Sequence, residues 1–262
     1  MSNEAAEMEA QEKYSTMMLA VDAIRAYQEK NSDFIWQRKE NFLSEYRQGR
    51  RDFAGEDLRG LCLEYSGIPQ FENLVLDDAN VSGSQFTRVK FINLSAKNAL
   101  FTDVEMIEII AEGADFSGTN LDNIDGHEAR LGGSNFFGAS LIYASLRKSS
   151  LWECNFTDAD CTYAQLNEAS LRRADLWKAC FLAAGLTEAK LQEAKLYDAD
   201  FRLANISAAK FEKAVPNSQT IWTGSRNSPE SLPEGMTAEA FSQLQNPSVK
   251  KAAPKRKLGL WW

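Results

Sequence analysis

Four cysteines, one histidine and 37 carboxylates are the side chains of this 262-residue chain that could carry covalent, metal or acid–base chemistry. Their spacing supports none of the three. Cys62, Cys154, Cys161 and Cys180 contain no CxxC pair and no zinc-like interval. With His127 as the single histidine, a multi-histidine metal site and a conventional Ser-His or Cys-His nucleophile system both lack support. No glycine loop of the phosphate-binding kind is present, and Gly118, Gly133 and Gly138 are better explained by turns that need positive φ. The carboxylates Asp115, Asp175 and Asp200 recur in one local context, Ala-Asp-Phe or Ala-Asp-Leu, so their recurrence reflects a repeat. We therefore expect no catalytic residue, no metal site and no cofactor, and a protein that is not an enzyme. The side chains left to do recognition chemistry are aromatic, and the repeat decides where they point.

That repeat has a period of five. Apolar rungs stand at Phe71, Leu76, Val81, Phe86 and Phe91, continue through Leu131, Phe136, Leu141, Leu146, Leu151 and Phe156, and reach Ile206 and Phe211 without insertion over 29 units. A small residue sits two positions before most rungs, as in Ala139-Ser140-Leu141. Five matches neither a helix nor a plain strand and marks a solenoid. Ala96, Ala111 and Gly126 break the ladder, but the position two residues earlier is then large (Leu94, Ile109, Ile124), so volume lost at one inward site is restored beside it. An earlier frame, Phe53, Leu58, Leu63 and Ile68, shifts by two residues around Ile68-Pro69-Gln70-Phe71.

The pattern A(D/N)LXX resembles the pentapeptide-repeat family. It is carried by Ala114-Asp115-Phe116, Ala174-Asp175-Leu176, Ala199-Asp200-Phe201 and Ala204-Asn205-Ile206, by a lead-in at residues 46–53, and by alignable units over about residues 53–215. The resemblance implies an all-β solenoid, a right-handed quadrilateral β-helix with four pentapeptides per coil, in which the central and small side chains point inward. About eight coils at the usual strand spacing make a rod of roughly 35–40 Å.

Residues 20 apart then stack in columns. On the face whose rungs are Phe136, Phe156 and Leu176, the outward column contains Phe137, Trp177 and Tyr197. On the next face, with rungs Leu141, Cys161, Phe181 and Phe201, the outward columns contain Ile142, Tyr143, Tyr163, Leu182 and Leu203. The remaining two faces are mostly polar, Trp152 excepted. A contiguous aromatic and apolar surface usually meets something. We expect it to bind a protein partner, to form a homodimer, or to be covered by the chain's own C-terminal helix or tail.

The flanks divide into an acidic, disordered stretch (1–13), a helical N-terminal cap (14–49), the β-helix with its C-terminal cap (50–224), a linker with a short helix N-capped by Thr237 (225–249), and a tail (250–262). Tyr14, Met17, Met18, Val21 and Ile24 form one helical face, and Ile35, Phe42, Leu43 and Tyr46 a second. In the tail, a basic run precedes Leu258, Leu260, Trp261 and Trp262, a pattern suited to a protein partner and, less well, to an anionic membrane surface.

Residues 53–160 carry 17 acids and 7 bases, whereas residues 161–215 carry 7 and 8. Such a surface disfavours direct nucleic-acid binding. There is no apolar run long enough to span a bilayer and no basic-then-apolar leader, and we expect a cytoplasmic protein. The expected function is a non-enzymatic interaction, scaffold or regulatory protein. The alternative comes from the resemblance: some family members imitate DNA and bind type II topoisomerases such as gyrase. The acidic early coils agree with that alternative and the near-neutral later half does not.

Overall fold

Each five-residue unit forms one side of a four-sided coil. In a computed structural model, which describes residues 3–226 and 229–245, the rung and the small residue two positions earlier both point into the core, and the chain turns a corner just after the rung. The corner is closed by a bond such as Ala139 N–H to Phe136 O (3.1 Å), and its second residue takes a left-handed φ, 59° at Tyr143 and 57° at Asn123. The Asp or Asn before the rung seals the same corner: Asn135 Oδ1 accepts from Phe137 N (3.2 Å), and Asp175 Oδ1 from Trp177 N (3.2 Å). The recurrent carboxylates are thus turn-forming groups.

Successive coils join by parallel bridges between residues 20 apart, for example Asp115 to Asn135 and Asn135 to Asn155. Among the described residues, only β1 (Phe71–Glu72) and β2 (Phe91–Ile92) extend to two residues. The result is a right-handed quadrilateral β-helix. Its interior is a stack: Phe116, Phe136 and Phe156 lie nearly parallel, with centroids 5.3 and 4.8 Å apart. At the defective rungs Leu94, Ile109 and Ile124 are buried as expected. At Gly126 the next coil helps, because a Cβ there would lie 2.8 Å from Leu146 Cδ2. Cys154 and Cys161 are inward and buried; burial pushes the Cys154 thiol up to about 12, and the Cys161 thiol well above its usual value.

Both ends depart from the 20-residue step. The first coil pairs at an offset of 23 (Asp52 with Val75, Asp57 with Asn80), so the Pro69 join adds three residues. The last pairs at 21 (Asp200 with Ile221, Asn205 with Arg226), one residue having been added after Val215. Counting by fives keeps Ile221 in frame, but the inward residue is Trp222, stacked on Phe201 at 4.7 Å. Bridged pairing also continues past 224, to Arg226 and Ser231. α3 (Ala238–Gln245) closes this end: Thr237 Oγ1 accepts from Ala240 N, and Phe241 packs edge-on against Trp222 at 5.0 Å.

At the other end, α2 (Ser32–Arg47) is the cap. Phe42 lies 4.6 Å from Phe53, and the Tyr46 hydroxyl accepts from Glu72 N (2.6 Å). α1 (Asn3–Lys30) does something else. It begins well before residue 14, so residues 3–13 are helical where disorder was expected, and it runs along the side of the rod. Gln28 donates to Gly83 O (2.6 Å), Arg25 pairs with Asp103 (3.5 Å), Tyr14 packs on Tyr143 (4.8 Å), and Lys13 binds Asp160 (2.5 Å). The two periods fit: ten helical residues from Tyr14 to Ile24 advance about 15 Å, and three coils advance about 14 Å. The Lys13–Asp160 pair and a Glu9–Lys13 pair one helical turn apart hold the polar first turns in place. Among the described residues, no helix is long and apolar enough to cross a membrane.

Candidate partner-binding surface

The position of α1 divides the expected surface in two. On the Leu141 face the column just outside the rungs is Ser82, Thr102, Asp122, Ile142, Thr162, Leu182 and Arg202, and all but the half-buried Ile142 are buried. Met17 and Val21 are the buried residues of α1 that face it. Leu182 (0% exposed) and Leu203 (6%) therefore do not present a free apolar surface as expected; they pack with Cys180, Tyr163 and Ala183. Tyr143 and Tyr163 stack on each other at 4.7 Å, with Tyr14 of α1 against Tyr143. Burial, with the Tyr163 and Tyr14 phenols alongside, pushes Tyr143 up to about 12. The helix that lies against this face is the N-terminal one, α1, whereas the helix weighed from the sequence as one possible cover was the C-terminal one.

Electrostatics under α1 follow the burial. Burial alone would lower the Lys13 ammonium, but the Asp160 carboxylate beside it more than reverses this and the pKa rises. Asp122 is raised by burial, against bonds from Ser140 Oγ (2.6 Å) and Ile142 N (2.9 Å). Asp200 and Arg202 form a buried bidentate pair beneath the same face.

Among the described residues, the rings of the Phe136 face are exposed. Phe137, Trp177 and Tyr197 stand in one column at 49%, 43% and 37% exposure, with Thr157 between the first two. The Trp177 indole N–H donates to Asp198 Oδ2 (3.3 Å), and Asn217 Nδ2 donates to Asp198 Oδ1 (2.7 Å). Lys178 Nζ lies 4.3 Å from the centre of the Trp177 ring. Trp152, on the Leu131 face, is bedded across Gly132 of the coil below, where an added Cβ would fall 2.1 Å from its Nε1. Trp261 and Trp262 lie outside the described residues.

Sequence reasoning put Tyr14 on an apolar helical face but missed what that face meets, and gave Gly83 and Lys13 no part in seating α1. The available signal was a set of small residues, Ser82-Gly83, Thr102 and Thr162, just outside the rungs of the face that α1 meets. Among the described residues no three His, Cys, Asp or Glu are grouped to hold a metal.

The repeat geometry is also found by comparison. The model of the pentapeptide repeats matches in eight copies, at residues 111–141, 134–173, 153–181 and 184–215. Two solved pentapeptide-repeat proteins share about three residues in ten with the chain. One is alr5209 of Nostoc PCC 7120, 30% identical over 45% of this chain and 81% of its own, with a TM-score of 0.31. The other, from the Arabidopsis thaliana thylakoid lumen, is 31% identical over 41% and 68%, with a TM-score of 0.30. The chain belongs to the pentapeptide-repeat family. Within that family it is also similar to QnrB1, a plasmid-mediated fluoroquinolone resistance protein, at 22% identity over 64% of this chain and 78% of that one, with a TM-score of 0.40. No match is found among curated proteins. As a pentapeptide-repeat protein, the chain owes its rungs and corner carboxylates to the fold.

Proposed function

We propose that this pentapeptide-repeat protein is a non-enzymatic interaction module, and that its partner docks on the Phe137–Trp177–Tyr197 column. The observation that carries the reading is the contrast between equivalent columns. In the early coils the same positions are Asp77, Lys97 and Ser117, and on the Leu141 face they lie beneath α1. Only from Phe137 onward does this column carry large rings, and there they are left in solvent. Exposed aromatic side chains are the usual anchors of protein interfaces because they bury much area at little entropic cost. The rings stand on a stack whose core is closely packed, so the surface is pre-organised.

The test is a photo-crosslinking amino acid placed at position 157, between the two rings, and at position 167 on the Leu146 face. The reading expects a discrete adduct from 157 that is absent from 167 and is lost when Phe137 and Trp177 are changed to Ser. Identical adducts from both positions, or from 157 with and without the two rings, would sink it.

A further inference from the structure

We propose that the occupant of the aromatic column is an extended proline-rich segment in the polyproline II conformation, lying along the rod axis. The inference rests on the partner-binding reading above and narrows it by four observations.

The first is area. One side of the coil offers about three extended residues of width, roughly 10 Å, and eight coils are about 38 Å tall. A second copy laid flat on the whole face would bury about 400 Å² on each side, some 800 Å² in total, below the 1,200 Å² or so of a specific stable interface. A narrow ligand that draws its affinity from a few rings suits such a face better than a second rod.

The second is the backbone. Around the column, main-chain groups are spent within the stack: Lys178 N donates to Tyr197 O, Asp158 N to Trp177 O, and Gly138 N to Thr157 O. A ligand therefore cannot add as a strand and must be held by side chains. Polyproline II suits this, because its own backbone makes no internal hydrogen bonds and remains solvated.

The third is the contrast with α1. A helix lies close to the Leu141 face because Ser82, Gly83, Thr102 and Thr162 are small there; the Cβ of a residue at Gly83 would already touch Gln28 and Ile24. On the Phe136 face the same column carries Asp77 and Lys97 in the early coils and the projecting rings of Phe137, Trp177 and Tyr197 in the later ones, with the smaller Thr157 between the first two rings.

The fourth is spacing and charge. Phe137 and Trp177 are two coils apart, about 9.6 Å, and one three-residue turn of polyproline II rises about 9.3 Å. Prolines three residues apart thus meet both rings in register. The corner rail beside the rings reads Gly138, Asp158, Lys178, Asp198, with one more acid than base, so the matching segment carries basic residues at its ends. The Trp177 N–H bond to Asp198, at 3.3 Å, is long enough to be exchanged for a ligand carbonyl.

The probe is an acetylated decaproline peptide with an arginine at each end, titrated calorimetrically into the full chain. The control is a glycine-serine peptide of equal length with the same two arginines. The proposal expects saturation below millimolar peptide for the proline probe alone. It expects at least a tenfold loss in Trp177→Ala and in Thr157→Arg, which puts a long side chain between the first two rings, and no change in Trp152→Ala, each variant first shown to keep the wild-type circular dichroism spectrum. Equal binding of the two peptides, no binding, or binding indifferent to Trp177 overturns it. If position 157 still crosslinks a partner while the proline probe does not bind, the docking surface stands and the polyproline occupant falls. If neither occurs, both readings fall.

Discussion

Gly83 offers the sharpest test of the seat of α1. Its φ is +67°, as at the second corner residue of other units, yet Asp103 and Asn123 hold that conformation without being glycine (59° and 57°). What distinguishes Gly83 is the helix above it: an added Cβ would lie 2.5 Å from Gln28 Nε2 and 2.8 Å from Ile24 Cγ2. Gln28 can swing aside, but Ile24 Cγ2 is fixed to the β-carbon of a helical residue, so Gly83→Ala must lift this part of α1. The variant loses the Gln28 bond to Gly83 O, a net ~1 kcal/mol, and part of the Ile24 burial, another ~1 kcal/mol. Gly133→Ala is the matched control, with φ +70° and nothing within 4 Å of the added carbon. It bears only the left-handed backbone cost, about 1 kcal/mol, which both variants share. The difference of about 2 kcal/mol corresponds to a roughly 30-fold increase in local opening. Amide exchange by mass spectrometry over residues 17–28 should show that acceleration in Gly83→Ala alone. Equal exchange in the two variants would refute the placement of α1 on this face.

Two further outcomes follow from the core and from the buried carboxylate. Gly126→Ala restores a side chain to a rung that lacks one, yet the new Cβ would meet Leu146 Cδ2 at 2.8 Å; urea unfolding should show a loss of about 1–3 kcal/mol from overpacking, and a gain in stability would contradict the compensated packing. Asp122 has its folded pKa raised by burial. The native state therefore binds this proton more tightly than the unfolded chain does, and the resulting stabilisation, complete below about pH 4, fades as pH rises through the raised value. Asp122→Asn keeps an acceptor for Ser140 and Ile142 and removes the titration. Relative to wild type it should gain stability between acid and neutral pH, and parallel wild-type and variant curves of urea midpoint against pH would refute this.

The interior was legible because its pattern is strictly local. Phe116, Phe136 and Phe156 are five-residue rungs whose partners lie 20 residues away, so one count gives both burial and neighbour. The closing coil was less legible: Ile221 and Trp222 are both apolar, and nothing near Pro216 marks the added residue that exchanges their roles. The stripe of Tyr14, Met17, Val21 and Ile24 showed that α1 has an apolar face without showing what that face meets. An end cap and a strap along the rod share this periodicity. Residues 3–13 read as disordered because their own composition is polar; Lys13 finds its partner in Asp160, far along the chain. Part of the expected surface, Leu182 and Leu203 among it, is buried on the face met by a helix that no column includes.

The division of that surface is most directly tested by hydroxyl-radical footprinting of the full chain, read residue by residue. With α1 seated on the Leu141 face, Phe137, Trp177 and Tyr197 should be oxidised rapidly, while Leu182 and Leu203 remain protected. Oxidation of Leu182 and Leu203 at the rate expected of freely exposed leucines, or protection of Phe137 and Trp177 in the isolated protein, would contradict a free aromatic column beside a face occupied by the chain itself.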